Sequence, residues 1–205
     1  MGLYSKYILP RLIHAACSSR ANTVQRKRVV PRAEGRVLEV GIGSGLNLPF
    51  YDTTKVTRII GLDPSLELTG MARESARVLD VPVEFIPVPG EEIPLENGSV
   101  DTVLVTYTLC SMADVRSALS EMRRVLKPGG RLVFCEHGRS SDRATLRWQR
   151  RLDPIWSRFS GGCHLDRDIP VLIEDAGFSV EEMRAEFIPG WKPASFNYWG
   201  SARTV

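Results

Sequence analysis

Three glycines and two acidic residues in the first third of the chain have the types and spacing of a nucleotide-cofactor site. Residues 37–45 read VLEVGIGSG, an apolar run that contains Glu39 and continues into Gly41, Gly43 and Gly45. Glycines at such a point allow a tight turn from a strand into a helix and let the backbone approach a ligand closely. Asp63 follows a second apolar run about 20 residues later, where a carboxylate can accept hydrogen bonds from the two hydroxyls of a ribose. The pattern therefore predicts an enzyme that uses a nucleotide cofactor.

Strand-like and helix-like segments alternate along most of the chain and would position these residues. The predicted strands cover residues 36–40, 56–62, 83–87, 100–106, 131–136, about 178–188 and about 195–204. The predicted helices include residues 65–79, 114–126 and about 168–176. This alternation implies right-handed crossovers and a mainly parallel sheet, so the predicted fold class is α/β. Ligands of such sheets bind beyond the carboxyl ends of the strands, which is where the candidate residues fall.

Proline and glycine mark three further breaks in the pattern. Residues 127–130, KPGG, predict the end of a helix followed by a turn. A basic, tryptophan-bearing helix after residue 142 is predicted to be interrupted at Asp153-Pro154. Gly161-Gly162 predicts the turn that follows this helix.

Residues 1–34 are predicted to form a helical lid, ahead of a cofactor-binding domain at residues 35–205. A second short helix in this lid is expected to be capped by Asn22 or Thr23 and to end before Pro31. Residues 1–33 contain seven Lys or Arg and no acid, and this basic arm could contact an anionic membrane peripherally or steer an anionic substrate. A solvated helical face is the commoner use of such an arm. The first helix is predicted from the helical spacing of Leu3, Tyr7, Ile8, Leu12 and Ile13.

Composition favours one globular α/β domain. The chain has 205 residues, of which 43% are hydrophobic and 25% charged, as is typical of soluble proteins. Residues 102–113 carry no charge but are too short to span a bilayer. The four cysteines are scattered without CxxC spacing, so neither a disulfide framework nor a metal site is expected. A cytoplasmic protein fits this cysteine usage and the lack of a recognisable targeting signal.

Several motifs together resemble the class I methyltransferases that use S-adenosylmethionine. The glycine spacing is GxGxG rather than GxGxxG, Glu39 stands just before it, and LKPGG follows at residues 126–130. Three narrower segments, FCEHG, LDPIW and GCHLDRD, resemble the alkyl thiol S-methyltransferases, in a bacterial-type version with a methyltransferase type 11 domain. The resemblance covers residues 36–203. It implies a Rossmann-like, mainly parallel seven-stranded sheet with an antiparallel C-terminal hairpin and helices on both faces.

The resemblance implies S-adenosylmethionine as the cofactor and S-adenosylhomocysteine as its product. Glu39 and the glycine loop, residues 41–45, would lie beside the methionine portion, and Asp63 would bind the ribose hydroxyls. Gly90 and Glu91 would lie at the adenine edge. In full, the residues expected to bind the cofactor are Glu39, Gly41, Gly43, Gly45, Asp63, Pro64, Gly90, Glu91 and Thr106.

The methyl acceptor is expected to be a small, apolar molecule, with a thiol first among the candidates. His137 lies directly beyond the fifth predicted strand and is the candidate base that would help to form a thiolate. Tyr107, Trp156 and His164 are expected to line the acceptor pocket.

Two alternatives stay open. A less specific resemblance to bacterial phospholipid N-methyltransferases would make a phosphatidylethanolamine-type amine the acceptor and would give the basic arm a role. The chain could also be a protein that binds the cofactor without turnover. Nucleic acid is not expected as a partner, because residues 106–111, TYTLCS, stand where base-modifying methyltransferases have Asn or Asp followed by Pro-Pro-Tyr. The sequence makes no prediction about oligomeric state.

Overall fold

The fold is built on a seven-stranded sheet, seen in a computed structural model that describes residues 9–204. The strands are β1 (Gly35–Val40), β2 (Val56–Leu62), β3 (Val83–Ile86), β4 (Val100–Thr106), β5 (Leu126–His137), β6 (Phe178–Phe187) and β7 (Phe196–Thr204). They lie in the order β3-β2-β1-β4-β5-β7-β6. Strands β1 to β5 pair in parallel, whereas β7 is antiparallel to both β5 and β6. The predicted α/β fold with an antiparallel C-terminal hairpin is confirmed.

The strand order places a ligand crevice between β1 and β4. From β1 the chain adds β2 and β3 on one side and then crosses to add β4 and β5 on the other. Connections on the two sides leave in opposite directions, which opens a crevice at the carboxyl ends of the two central strands. The glycine loop begins at this point.

Helices cover both faces of the sheet, as the alternation of strand side chains requires. The helices are α1 (Leu9–Cys17), α2 (Arg20–Val29), α3 (Leu66–Ala76), α4 (Val115–Val125), α5 (Arg143–Phe159) and α6 (Ile169–Asp175). One core cluster contains Leu38 of β1 and Leu132 of β5 and packs against α4 and α6. The other contains Val37 and Val133 and packs against α2 and α3. No helix within residues 9–204 combines the length and apolar content needed to cross a bilayer.

The N-terminal segment forms two helices, but its predicted cap is wrong. Leu12 and Ile13 lie in α1, whereas Leu3, Tyr7 and Ile8 lie outside the described residues. Ser19, not Asn22 or Thr23, caps α2, because its hydroxyl accepts a hydrogen bond from the backbone N–H of Asn22 at 3.3 Å. A serine in this position satisfies one of the backbone donors that the first helical turn leaves without a partner.

The predicted interruption of α5 is also wrong. The helix runs without a break from Arg143 to Phe159, through Pro154. A proline inside a helix costs about 3 kcal/mol, but tertiary contacts hold the turn of the helix that leads into it. The amide of the buried Gln149 bonds the carbonyls of Gly138 and Pro193, and Asp153 accepts the backbone N–H of Leu165.

The KPGG segment ends a helix as predicted, but it lies inside a strand rather than in a separate turn. Helix α4 ends at Val125, and β5 already begins at Leu126. Val100 pairs with Leu126 and Thr102 with Arg131, so β5 has four residues where β4 has one. The pairing between β4 and β5 is interrupted at such an irregularity and then resumes. A glycine in the left-handed backbone conformation accommodates the bend. Gly129 has φ +79°.

Candidate functional site

The glycine loop bends back over the end of β2. The backbone N–H groups of Gly41 and Ile42 both donate to the carbonyl of Leu62, at 2.8 and 3.0 Å. A Cβ on Gly41 would lie 2.3 Å from the Thr108 side chain, so packing alone demands this glycine. A Cβ on Gly43 would come no closer than 3.9 Å to any neighbour. Gly43 therefore leaves open space at the crevice, as close approach of a ligand requires.

Asp63 joins the glycine loop to the start of α3. Its carboxylate accepts hydrogen bonds from the backbone N–H groups of Gly43, at 3.0 Å, and Ser65, at 2.8 Å. Burial raises the pKa of this carboxyl, while the two backbone hydrogen bonds oppose the rise. Asp63 thus has a fixed orientation beside Gly43, whereas Pro64 is exposed.

Gly45 and Gly90 have packing reasons of their own. A Cβ on Gly45 would lie 2.8 Å from Leu48, and one on Gly90 would lie 2.7 Å from Val40. Glu91 lies near the start of α4, where its carboxylate accepts the backbone N–H of Asp114 at 3.2 Å. The cofactor roles predicted for Gly90 and Glu91 stay predictions.

Glu39 is a buried carboxylate held by two residues that the sequence did not single out. Asn47 Nδ2 donates to Glu39 Oε1 at 2.8 Å, and the Tyr51 hydroxyl donates to Oε2 at 2.7 Å. Asn47 Nδ2 also bonds the hydroxyl of Thr106 at 3.0 Å, which ties β1 to β4 across the crevice. Burial raises the pKa of Glu39 to about 7, although both hydrogen bonds and the charge of Arg26 oppose the rise.

Arg26 of α2 brings a buried positive charge to the same region. The residue is only 5% exposed, and its guanidinium lies 5.0 Å from the centre of the Tyr107 ring. Two of its nitrogens, Nε and Nη1, have no hydrogen-bond partner within residues 9–204. In the sequence, Arg26 was only one member of the basic arm. Its neighbours Arg28 and Arg32 instead form ion pairs at 2.8 Å with Glu186 and Glu182.

Tyr107 has a strained backbone at the end of β4. Its φ of +54° is the only positive value at a non-glycine position among residues 9–204. A left-handed conformation of this kind costs of order 1 kcal/mol or more and is common at functional sites. The Tyr107 hydroxyl donates to Asn197 Oδ1 at 2.8 Å, so β7 holds the ring in place.

Two cysteines and a histidine from separate segments meet beyond the ends of β4 and β5. The ligand-type atoms of Cys110, His137 and Cys163 lie within 4.8 Å of one another, and His137 Nε2 is 3.0 Å from Cys163 Sγ. The pKa of Cys163 is lowered to about 4, first by its hydrogen bond with Cys110 and then by His137. Burial alone would lower the pKa of His137, but its hydrogen bond with Cys163 raises it overall. The sequence had predicted neither this cluster nor the pairing of His137 with a cysteine.

The loops that carry the cluster are clamped to each other. Glu136 accepts the backbone N–H of Thr108 at 2.8 Å and that of Cys110 at 3.4 Å. The backbone N–H of His164 donates to the carbonyl of Cys110 at 2.8 Å. His164 Nδ1 lies 2.8 Å from an oxygen of Asp153, so the imidazole of His164 is directed toward α5. His164 thus positions the loops of Cys110 and Cys163, and its predicted role in the acceptor pocket stays a prediction.

The N-terminal helices contribute to a cavity of about 270 Å³ at one end of the glycine loop. His14 Nδ1 lies 2.7 Å from the hydroxyl of Ser44, which links α1 directly to the loop. Of the residues predicted to bind the cofactor, only Gly45 lines this cavity. Trp156, predicted as a pocket wall, packs against Trp191 with 5.1 Å between the ring centres.

The chain is similar in sequence to known methyltransferases. A family model described as a methyltransferase domain matches residues 38–134. Thiol S-methyltransferase TMT1B of Rattus norvegicus is 36% identical over 169 residues, covering 80% of this chain and 66% of that protein. The TMT1B protein of Homo sapiens is 36% identical over 177 residues, covering 83% of this chain and 72% of that protein.

A solved structure supports the same fold. It is a chain from the complex between the Haloferax volcanii Trm112 methyltransferase activator and the putative methyltransferase, with a TM-score of 0.73. The match covers 96% of this chain and 97% of that chain at 20% sequence identity, so the likeness concerns the fold alone.

Proposed function

We propose that this chain, which belongs to the class I S-adenosylmethionine-dependent methyltransferases, methylates the sulfur of a small, apolar thiol. The observation that carries the choice of a thiol is the 36% identity to proteins named thiol S-methyltransferase, extending over 80% of this chain. The chain spans 66% of the length of the rat relative. The acceptor therefore needs its own experiment.

The residues around the crevice fit the charges and hydroxyls of the cofactor. Asp63 would accept from the ribose hydroxyls, because the two backbone hydrogen bonds fix its carboxylate beside the open side of Gly43. Glu39 would hold the ammonium of the methionine portion. Arg26 has buried donors without a partner within residues 9–204, and we assign it to the methionine carboxylate.

The protein contributes mainly alignment and exclusion of water. When bound, S-adenosylmethionine supplies a methyl group on a sulfonium that is already activated for attack. Helices α1 and α2 would close over the glycine loop, because His14 contacts Ser44 and Arg26 lines the same cavity as Gly45, and they would then act as the predicted lid. A closed site would keep water away and hold the acceptor sulfur in line with the methyl group.

The acceptor side must favour a thiolate. An alkyl thiol with a pKa of about 8.5 or above is mostly protonated at pH 7. His137 stays our candidate for the residue that promotes the thiolate, and it would act together with Cys163, which lies 3.0 Å away. Tyr107 and Trp156 would form the apolar walls.

The test compares acceptors under identical conditions. Formation of S-adenosylhomocysteine would be measured with a panel of small alkyl and aryl thiols and, separately, with phosphatidylethanolamine vesicles. We expect turnover with thiols, and its loss in Asp63→Asn but not in Glu96→Gln, a control at an exposed glutamate. Turnover with vesicles alone would replace the proposal by phospholipid N-methylation. Cofactor binding without turnover on any acceptor would favour a non-catalytic binding protein.

A further inference from the structure

We infer that Cys110, His137 and Cys163 form a zinc-binding site that leaves one coordination position for a thiol. The three side chains come from the loop after β4, the end of β5 and the turn after α5. Two cysteine sulfurs and one imidazole nitrogen are donors that zinc prefers, and Cys₂His sets occur in catalytic zinc sites.

The distances fit a tetrahedral ion with little rearrangement. Zinc binds sulfur at about 2.3 Å and nitrogen at about 2.0–2.1 Å, which places tetrahedral donor atoms roughly 3.5–3.8 Å apart. The three atoms already lie within 4.8 Å of one another. His137 Nε2 and Cys163 Sγ, now 3.0 Å apart, would separate by about half an ångström. Two thiolates also neutralise the dication, so burial leaves no net charge.

The surrounding hydrogen bonds prepare the site before any ion binds. Glu136 holds the backbone of the Cys110 loop, and the backbone N–H of His164 ties that loop to the turn of Cys163. Asp153 fixes the same turn by accepting the backbone N–H of Leu165 at 2.6 Å. Outer partners of this kind orient the ligands of known metal sites.

Three protein ligands leave one position of a tetrahedral ion for an exogenous ligand. Within residues 9–204, no fourth thiol, imidazole or carboxylate joins the group in which all ligand atoms lie within 4.8 Å. Closed structural zinc sites have four protein ligands, whereas catalytic ones have three. Cys17 lies outside the group and lines the cavity beside the glycine loop. The experiment must therefore show that Cys17 does not act as a fourth ligand.

The ligand that best fits the remaining position is an alkyl or aryl thiol. On binding, the thiol would lose its proton to solvent and coordinate as a thiolate, because zinc deprotonates coordinating thiols. The thiolate would then be available near pH 7 without a strong base. This part rests on the proposed function, whereas the zinc site itself does not.

Cobalt(II) provides the first test, because it replaces zinc and absorbs visible light. The full-length chain would be treated with a chelator and kept reduced with a phosphine, since thiol reductants would compete for the metal. We expect one equivalent of cobalt to give a thiolate-to-metal charge-transfer band and the visible bands of a tetrahedral ion, and zinc to displace it. Absence of the charge-transfer band would overturn the site.

Cysteine variants identify the ligands. Cys163→Ser and Cys110→Ser should each weaken zinc binding by more than about 100-fold, since even outer-partner substitutions cost 10–100-fold. Cys135→Ala is the matched control, because Cys135 is buried in the core outside the three-residue group. Equal affinity of the wild type and Cys163→Ser would refute the assignment. Far-UV circular dichroism and the thermal unfolding midpoint would show that each variant is folded, and His137→Ala provides a further ligand variant.

A thiol titration tests the fourth position. Adding a small alkyl thiol to the cobalt-loaded protein should strengthen the charge-transfer band, and Cys17→Ser should leave the spectrum unchanged. An unchanged spectrum with the thiol, or a changed one in Cys17→Ser, would overturn the open position. These spectra are recorded without S-adenosylmethionine, so they test the zinc site separately from the proposed function. Thiol turnover by protein shown to be free of metal would refute the role of zinc and leave the proposed function standing. A metal-loaded protein that turns over no thiol would refute the proposed function and leave the zinc site standing.

Discussion

Binding of S-adenosylmethionine should release a proton from Glu39. In the free protein this buried carboxyl has a pKa of about 7, raised by burial. Asn47 and Tyr51 donate hydrogen bonds to it, the charge of Arg26 lowers its pKa, and that of Asp63 raises it. A bound cofactor adds an ammonium and a sulfonium, and their positive charge favours the ionised carboxylate. Cofactor affinity should therefore fall as the pH drops below 7.

The size of the effect follows from the pKa of Glu39. With a pKa of about 7, roughly ten of eleven molecules are protonated at pH 6, and roughly one in four at pH 7.5. If the complex requires the carboxylate, the apparent Kd is about eightfold higher at pH 6 than at pH 7.5. This corresponds to about 1.2 kcal/mol. The range also stays below the ordinary pKa of an α-amino group, so the ammonium of the cofactor remains mostly charged.

Isothermal titration calorimetry would measure both the affinity and the proton release. Titrations at pH 6 and 7.5, each in two buffers with different ionisation enthalpies, count the protons released on binding. Glu39→Gln should bind more weakly and lose most of the pH dependence, whereas the exposed Glu96→Gln should keep it. Equal Kd values at both pH values, or an unchanged pH dependence in Glu39→Gln, would refute the placement of Glu39 beside the ammonium.

Four further predictions concern the crevice and the frame around it. Asp63→Asn should weaken cofactor binding roughly 10–100-fold, as loss of hydrogen bonds to a charged group does, and unchanged affinity by calorimetry would contradict the ribose role. Gly41→Ala should lower the free energy of unfolding by about 1–3 kcal/mol, because its Cβ would lie 2.3 Å from Thr108. Gly43→Ala should mainly reduce cofactor affinity, so a greater loss of stability than in Gly41→Ala would be the opposite of our expectation. Gln149→Leu should cost about 2–5 kcal/mol in urea unfolding, since three backbone hydrogen bonds end on this buried amide, and a near-neutral result would show that these groups find other partners.

The parts of the fold that sequence predicted well are those that depend on local patterns. Strands β1, β2 and β4 are buried on both faces over their last four residues or more, so the second half of each appears in the sequence as a mostly apolar run. Local rules failed where tertiary contacts outweighed them. Pro154 would break an isolated helix, yet the contacts of Gln149 and Asp153 keep α5 continuous.

Much of the candidate site could not be predicted, because its contacts join distant parts of the chain. The spacing of Asn47 and Tyr51 in the sequence matches no motif, and only the folded structure reveals that both side chains bind Glu39. Arg26 differs from other basic residues of its helix only in being buried. The sequence argument against a metal considered neighbouring cysteines, whereas Cys110 and Cys163 are 53 residues apart and meet only through the fold.

Helix α5 allows the surface of the molecule to change in evolution while the cysteine turn beneath the helix keeps its geometry. On its inner side, Gln149, Asp153 and Trp156 hold the helix to the 138–140 loop, the cysteine turn and Trp191. On its outer side, Trp148 and Ile155 are 56% and 64% exposed. Hydrogen bonds to backbone atoms fix the rotation of the helix, and they do not depend on which residues face outward. Substitutions can therefore accumulate on the outer face and change the solubility of the protein, while the geometry of the cysteine turn is inherited unchanged.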